Sequence, residues 1–145
     1  MTDPHFRTVP GVYAPVVAPE RSFDALLGLE LVEHDTPGVL RARVAVRDEL
    51  RARAGGLHGG VITAVAESLA SRGTWIGVGD PGKLVMGLSN ETSHLSPIRS
   101  GHLNALASVR DRGEAAWLWE VQSLDDADRL CALTIVTIAV RAPRA

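Results

Sequence analysis

The fold is decided by residues 59–76, which read GGVITAVAESLASRGTWI. This stretch has no proline and is long enough for about five helical turns. Only Glu67 and Arg72 carry a formal charge. Apolar side chains cover much of the circumference of such a helix instead of a single stripe, which predicts that the helix is largely buried. They are Val61, Ile62, Val65, Ala66, Leu69 and Ala70.

Shorter elements flank this helix. Before it, residues 22–29 are typical of a short helix capped by Ser22, and residues 29–33 and 39–46 of two strands. After it come four extended segments at hairpin spacing, at residues 84–95, 103–110, 115–124 and 130–141. Their short connections predict antiparallel neighbours. Both alternating sets of the last segment are mostly apolar, which predicts a central strand covered on both faces.

This order of elements predicts an α+β fold in which a curved antiparallel sheet wraps around one long central helix. The 145 residues fit a single domain. Four prolines in residues 1–19 predict an extended N-terminal arm, and residues 20–145 are expected to form the domain.

Charge and hydropathy exclude several classes of partner. The formal net charge is -2 and the 15 Lys and Arg residues are scattered, so no nucleic-acid partner is expected. The longest nearly apolar run, residues 130–140, is shorter than the roughly 20 residues of a spanning helix. Residues 1–19 lack a signal pattern. The lone Cys131 cannot form an intramolecular disulfide. We therefore expect a cytoplasmic protein that does not enter the membrane.

Glu67 is the residue that most needs explaining. Burial of an ionised carboxylate without a partner is costly or raises its pKa, and its helical neighbours offer no cation. A carboxylate in a dry pocket suits a general base or a nucleophile. The alternative is that Glu67 faces solvent or pairs with a distant arginine.

His58, Gly59 and Gly60 stand at the start of the long helix. Glycines there permit close approach and leave the first backbone N–H groups free to polarise a carbonyl oxygen, as in an oxyanion hole. The alternative is a tight turn in which His58 caps the helix. The five histidines and Cys131 show no metal-ligand spacing, and no Gly-x-Ser-x-Gly motif is present.

These residues resemble the hotdog thioesterases of the phenylacetic-acid-degradation type. The resemblance covers about residues 23–141. The residues that carry it are His58-Gly59-Gly60-Val61, Ala66-Glu67, Gly87, His94, Pro97 and Gly101. It implies a hotdog fold and hydrolysis of acyl-coenzyme A thioesters, with an aromatic or medium-chain acyl group and no cofactor. It also implies a homodimer whose sheets join edge to edge, with two active sites between the subunits, and a tetramer of two such dimers.

The resemblance also implies a role for each site residue. Glu67 would activate water or attack the thioester, the N–H of Gly59 or Gly60 would bind the thioester oxygen, and His58 would orient that group. Ser71 would assist the water or the acyl ring, and His94 would reach the substrate from the partner subunit. The remaining substrate-binding positions are Gly87, Pro97, Arg112 and Gly113. Arg112 would meet phosphate of coenzyme A, unless it is a solvated hairpin charge.

One position departs from the family pattern. Many relatives carry Asn or Gln six residues before His58, where this chain has Ala52, and neither Arg51 nor Arg53 reproduces an amide. This departure leaves open a noncatalytic module that binds acyl-coenzyme A. A separate alternative to hydrolysis is a 3-hydroxyacyl-thioester dehydratase on the same fold, which also uses a His and an acidic residue.

Overall fold

The computed structural model describes residues 17–33 and 35–143. In chain order the elements are a 3-10 helix at Pro19–Arg21, α1 at Phe23–Leu27, β1 at Glu30–Val32, β2 at Val39–Ala45, a 3-10 helix at Asp48–Leu50, α2 at Gly59–Val78, β3 at Leu84–His94, β4 at His102–Arg112, β5 at Ala116–Leu124 and β6 at Leu130–Arg141. The predicted order of helix, two strands, long helix and four strands is confirmed. Most of the predicted arm, residues 1–16, lies outside the described residues.

The six strands form one antiparallel sheet in the order β1-β2-β4-β5-β6-β3. The expectation that each of the last four strands pairs with the next is wrong for β3 and β4. Strand β3 pairs with β6 at one edge, and β4 lies between β2 and β5. Residues 95–101 make this connection, and seven residues can span about 23 Å, more than the roughly 14 Å of three strand spacings. A connection this short therefore does not require a hairpin.

Helix α2 packs on the concave face of the sheet, and the six apolar residues that predict its burial are all buried. Two tryptophans of β5 fill the space under its C-terminal half. Trp119 is fully buried, its ring touches Gly73, and its Nε1 donates to Thr74 Oγ1 at 2.8 Å. Trp117 lies in the same way against Gly77. A side chain at either glycine would overlap the indole rings, so these glycines set how closely the helix approaches the sheet.

A single helical layer covers one face of the sheet, and the other face stays partly open. Strand β6 is interior as predicted, but among the described residues its outer face is covered only in part, because Cys131 and Ala139 are buried there while Ile135 is 38% exposed. Strand β3 is a long free edge. Beside this edge, Met86 and Leu88 are 48% and 61% exposed, and Leu95 just beyond the strand is 59% exposed. An exposed edge strand of 11 residues, apolar in its first half, is a surface on which another strand can pair.

Candidate active site

Helix α2 begins with a side-chain cap. His58 has extended backbone angles, and its Nδ1 accepts a hydrogen bond from the N–H of Gly60 at 2.9 Å. The role of His58 as a helix cap, left open by the sequence, is thus observed. The cap occupies the N–H of Gly60, and Val61 donates to the His58 carbonyl oxygen at 2.9 Å. Of the two glycines, Gly60 therefore has its N–H occupied by the cap.

Gly59 is the first residue of α2, and within residues 17–33 and 35–143 its N–H has no hydrogen-bond acceptor. The imidazole of His94, at the end of β3, lies directly against it. A methyl group built on Gly59 would lie 3.0 Å from His94 Cε1 and 3.1 Å from Nε2. The free N–H therefore lies at the positive end of the helix, and the His94 ring packs against the same residue.

Glu67 is exposed, so the prediction that it is buried is wrong for the single chain. It lies on the border between the buried and open faces of α2, where strand β3 ends the sheet. Its carboxylate rests against the main chain of Gly87 on β3. Among residues 17–33 and 35–143 no strand lies beyond β3, so the described part of the chain leaves the carboxylate open to water on that side.

Gly59 and Glu67 do not meet within one chain. They are eight residues apart on one helix, which places their backbones about 12 Å apart along its axis. The N–H groups at the start of a helix also point out of its N-terminal end, and hence away from Glu67. The nine-residue spacing from His58 to Glu67 therefore places the free N–H and the carboxylate at separate points along α2.

A row of residues at intervals of four along α2 faces the inner side of β3. The row comprises Gly59, Thr63 and Glu67. Ser71, four residues further along the helix, is half-buried. The contacts of β3 with this row run antiparallel to the helix, from His94 at Gly59 to Gly87 at Glu67.

Between these two contacts, Asn90 and Thr92 of β3 hydrogen-bond to Thr63. Sequence reasoning missed these three polar residues. Two features of the sequence indicate them. Thr63 lies four residues after Gly59 and four before Glu67, and Asn90 and Thr92 lie two residues apart on one strand, so their side chains point to the same face of the sheet.

Comparison with known proteins identifies the family. Residues 54–132 match the thioesterase superfamily. The chain belongs to that superfamily. It is 38% identical over 112 residues to the Mycobacterium tuberculosis protein MT1895, covering 76% of this chain and 79% of that protein. It is also 30% identical over 118 residues to 1,4-dihydroxy-2-naphthoyl-CoA hydrolase of Listeria monocytogenes, covering 81% and 94%.

Among solved structures, a mutant of thioesterase PA1618 from Pseudomonas aeruginosa superposes with a TM-score of 0.82 at 28% identity, covering 86% of this chain and 88% of that one. The six-stranded antiparallel sheet around a long helix is the hotdog fold of these thioesterases. The chain is a thioester hydrolase. Within the described residues no helix is long and apolar enough to cross a bilayer, and no group of three His, Cys, Asp or Glu side chains is placed to hold a metal ion.

The thioesterase carries Arg112 and Gly113 far from the start of α2. The guanidinium of Arg112 lies 5.2 Å from the ring centre of Trp117, a cation–π contact, and Trp117 packs on Gly77. Gly77 follows Gly59 by 18 residues, or about 27 Å of helix. Within one chain Arg112 therefore lies at the opposite end of the helix from Gly59. Its contact with coenzyme A stays a prediction.

The loop before His58 is closed by its own hydrogen bonds. The N–H of Ala52 donates to the Gly56 carbonyl oxygen at 2.8 Å, and Arg51 Nη1 donates to the Gly55 carbonyl oxygen at 2.6 Å and to that of Arg99. The Arg51 guanidinium is thus held in the loop and does not replace the missing amide side chain at position 52.

Pro97 lines a cavity of about 410 Å³ that neither Gly59 nor Glu67 reaches. The cavity lies between residues 97–101 and the turn that contains Asp126. The side chain of Asn104 donates to Asp126 Oδ1 at 2.8 Å and is the main cause that lowers the pKa of Asp126. The hydrogen bond from Asn104 stabilises the turn and accounts for the lowered pKa of Asp126. The assignment of Pro97 to substrate binding stays a prediction.

Gly87→Ala is expected to lower turnover roughly tenfold to a hundredfold, because its methyl group displaces the Glu67 carboxylate and small misplacements of a reacting group are costly. Stability should change little, because the displaced group is the far end of a flexible side chain. Steady-state thioester hydrolysis and a thermal melt measure the two effects. Gly82→Ala is the control, since its methyl group would meet the Asp80 carboxylate at 3.2 Å, away from the site. Equal kcat for the two variants would contradict the prediction.

Proposed function

We propose that this thioesterase hydrolyses acyl-coenzyme A thioesters as a two-fold dimer, with Glu67 of one subunit and the Gly59 N–H of the other acting on the same thioester. The observation that carries the proposal is the distance between these two groups. A bound carbonyl oxygen lies about 3 Å from its N–H donor, and a carboxylate or its activated water must come within roughly 3.5 Å of the carbonyl carbon. Their combined reach is well short of the separation of the two groups on β3, because the Glu67 carboxylate rests against Gly87 whereas Gly59 lies against His94, seven residues or roughly 20 Å further along the strand.

The free edge of β3 supports the manner of pairing. Two copies joined antiparallel along β3 would extend the sheet and bring the two α2 helices side by side in opposite directions. Gly59 of one subunit then faces the Glu67 turn of its partner. The same contact covers the exposed apolar side chains beside β3 and excludes water from Glu67, as a dry catalytic carboxylate requires.

In this arrangement the chemistry follows from two half-sites, the Gly59 N–H and the Glu67 carboxylate. The Gly59 N–H donates to the thioester oxygen and stabilises the negative charge that develops there. Glu67 either takes a proton from the attacking water or attacks the carbonyl carbon itself. The His58 cap fixes the first turn of α2, and the His94 ring packs against Gly59. Hydrolysis releases a free acid and coenzyme A. No cofactor takes part in this scheme.

The proposed acyl group is aromatic or medium-chain. The relative named 1,4-dihydroxy-2-naphthoyl-CoA hydrolase supports the aromatic class, because its name specifies an aromatic acyl group. Association of two dimers into a tetramer would cover the partly exposed Leu118 and Ile135 on the outer face of the sheet.

The activity is tested by measuring thiol release from a panel of aromatic and medium-chain acyl-coenzyme A substrates. A 3-hydroxyacyl thioester is included, and its enoyl product is followed separately. Rapid thiol release from members of the panel supports the proposal. Saturable binding without thiol release would indicate a binding module, and formation of the enoyl product would indicate a dehydratase.

A mixture of two inactive variants tests the shared site. Glu67→Gln and Gly59→Pro each remove one half-site, so a mixed dimer has one site with both defects and one intact site. Refolding the two variants together should restore about a quarter of wild-type activity, because half the dimers are mixed and each has one working site. Thiol release before and after mixing measures this. Two differently tagged samples of Glu67→Gln are the control and should stay inactive. Failure of the mixture to regain activity would place the site within one chain.

A further inference from the structure

We infer that Asn90, Thr63 and Thr92 are positioning residues that hold the Glu67 turn of α2 against strand β3. The inference rests on the proposed function, because it gives these residues a role in hydrolysis. They occupy the half-buried strip between the Gly59–His94 contact and the Glu67–Gly87 contact. We call the three residues the polar brace.

The brace is a connected set of hydrogen bonds and polar contacts. Asn90 Nδ2 donates to the Thr63 carbonyl oxygen at 3.1 Å, and Asn90 Oδ1 accepts from Thr92 Oγ1 at 3.2 Å. Thr63 Oγ1 lies 3.4 Å from Thr92 Oγ1 and donates to the Gly59 carbonyl oxygen at 3.1 Å. Thr92 Oγ1 also lies 2.9 Å from Oγ1 of the fully buried Thr134 on β6. The helix is thereby connected to two strands.

The partners of the brace link it to the site. In an α-helix the carbonyl of residue 63 accepts the N–H of residue 67, so Asn90 binds the same oxygen that holds the Glu67 main chain. Thr63 binds the carbonyl of Gly59, whose N–H is the proposed oxyanion donor. One connected group thus contacts the backbone that carries both half-sites.

Apolar contact alone would not give this precision. Apolar packing is non-directional and leaves a helix free to slide or turn slightly on a sheet, whereas a satisfied polar network specifies one arrangement. Gly87 lacks a side chain that could confine the Glu67 carboxylate, so the direction of Glu67 depends on where the brace holds its turn. The proposed dimer forms along β3, and the brace therefore also fixes Glu67 relative to the partner's half-site.

The test compares Asn90→Leu with Asn104→Leu. Leucine keeps the volume of either side chain and removes its hydrogen bonds. Asn104 is a half-buried asparagine on β4 that bonds Asp126, away from α2, and is the matched control. We expect kcat of Asn90→Leu to fall roughly tenfold or more with KM within about twofold, and kcat of Asn104→Leu to stay within about twofold of wild type.

A second pair keeps the test decisive should Asn90→Leu not fold. Thr92→Val removes the hydroxyl at constant shape, and Thr92→Ser retains it. We expect the valine variant to lose kcat roughly tenfold and the serine variant to keep it within about twofold. Size-exclusion chromatography checks that the variants have the oligomeric state of the wild type.

Hydrogen–deuterium exchange gives a readout that does not depend on activity. Peptides that cover residues 59–67 should exchange faster in Asn90→Leu than in wild type or Asn104→Leu. Unchanged exchange there, or a folded Asn90→Leu with wild-type kcat, would overturn the inference. Absence of thiol release by the wild type would instead refute the proposed function, and exchange would still decide whether the brace holds the helix.

Discussion

Replacing Glu67 with glutamine is expected to lower kcat for thioester hydrolysis by roughly 10²-fold or more while substrate still binds, because the variant keeps the shape of the side chain and loses the base. Either chemical role of Glu67 gives the same result, since an amide neither accepts the proton of water nor attacks the thioester. Stopped-flow or steady-state thiol release measures kcat, and binding of an unreactive thioether analogue measures affinity.

Glu33→Gln is the matched control for this variant. It removes the same charge from an exposed carboxylate that follows β1, at the edge of the sheet opposite β3. Its kcat should equal that of the wild type. Retention of full activity by Glu67→Gln would end the proposed mechanism, because no other carboxylate among the described residues lies against β3 at the Gly87 position.

Replacing Gly59 with proline is expected to lower kcat by about 10² to 10³ through loss of one oxyanion donor. The substitution suits this position. Proline is favoured at the first residue of a helix, where the missing N–H has no helical acceptor. His58 already has φ -61° and ψ 133°, the extended region that a residue before proline adopts. The helix should therefore form normally, and circular dichroism checks this.

Gly59→Ala is the control that distinguishes loss of the backbone N–H from the steric effect of an added Cβ. Both variants place a Cβ against the His94 ring, at 3.0 Å from Cε1, but alanine keeps the N–H. The loss of kcat in proline beyond that in alanine therefore comes from replacing the N–H by the ring carbon on nitrogen. Equal kcat in the two variants would mean that the Gly59 N–H does not bind the thioester oxygen.

Local pattern predicted the elements of the fold well. The uninterrupted apolar helix, Ser22 as the cap of α1 and the alternation of the later strands all act over a few residues, and each lies where it was predicted. The pairing of β3 was not predictable in this way. Whether seven residues fold back as a hairpin or cross the end of a sheet depends on which edge is free, and the free edge is a property of the whole sheet.

The same distinction between local pattern and tertiary structure applies to the candidate site. Sequence spacing by itself determined that His58, Gly59 and Glu67 lie on one helix, because the helical rise and repeat are constant. Tertiary structure alone decided that His58 takes the N–H of Gly60, that His94 and Gly87 lie beside the two half-sites, and that Asn90 and Thr92 connect them. The exposure of Glu67 likewise follows from β3 being the last strand of its sheet. Contacts between distant segments depend on strand order, and strand order minimises the free energy of the whole chain, which no local pattern records.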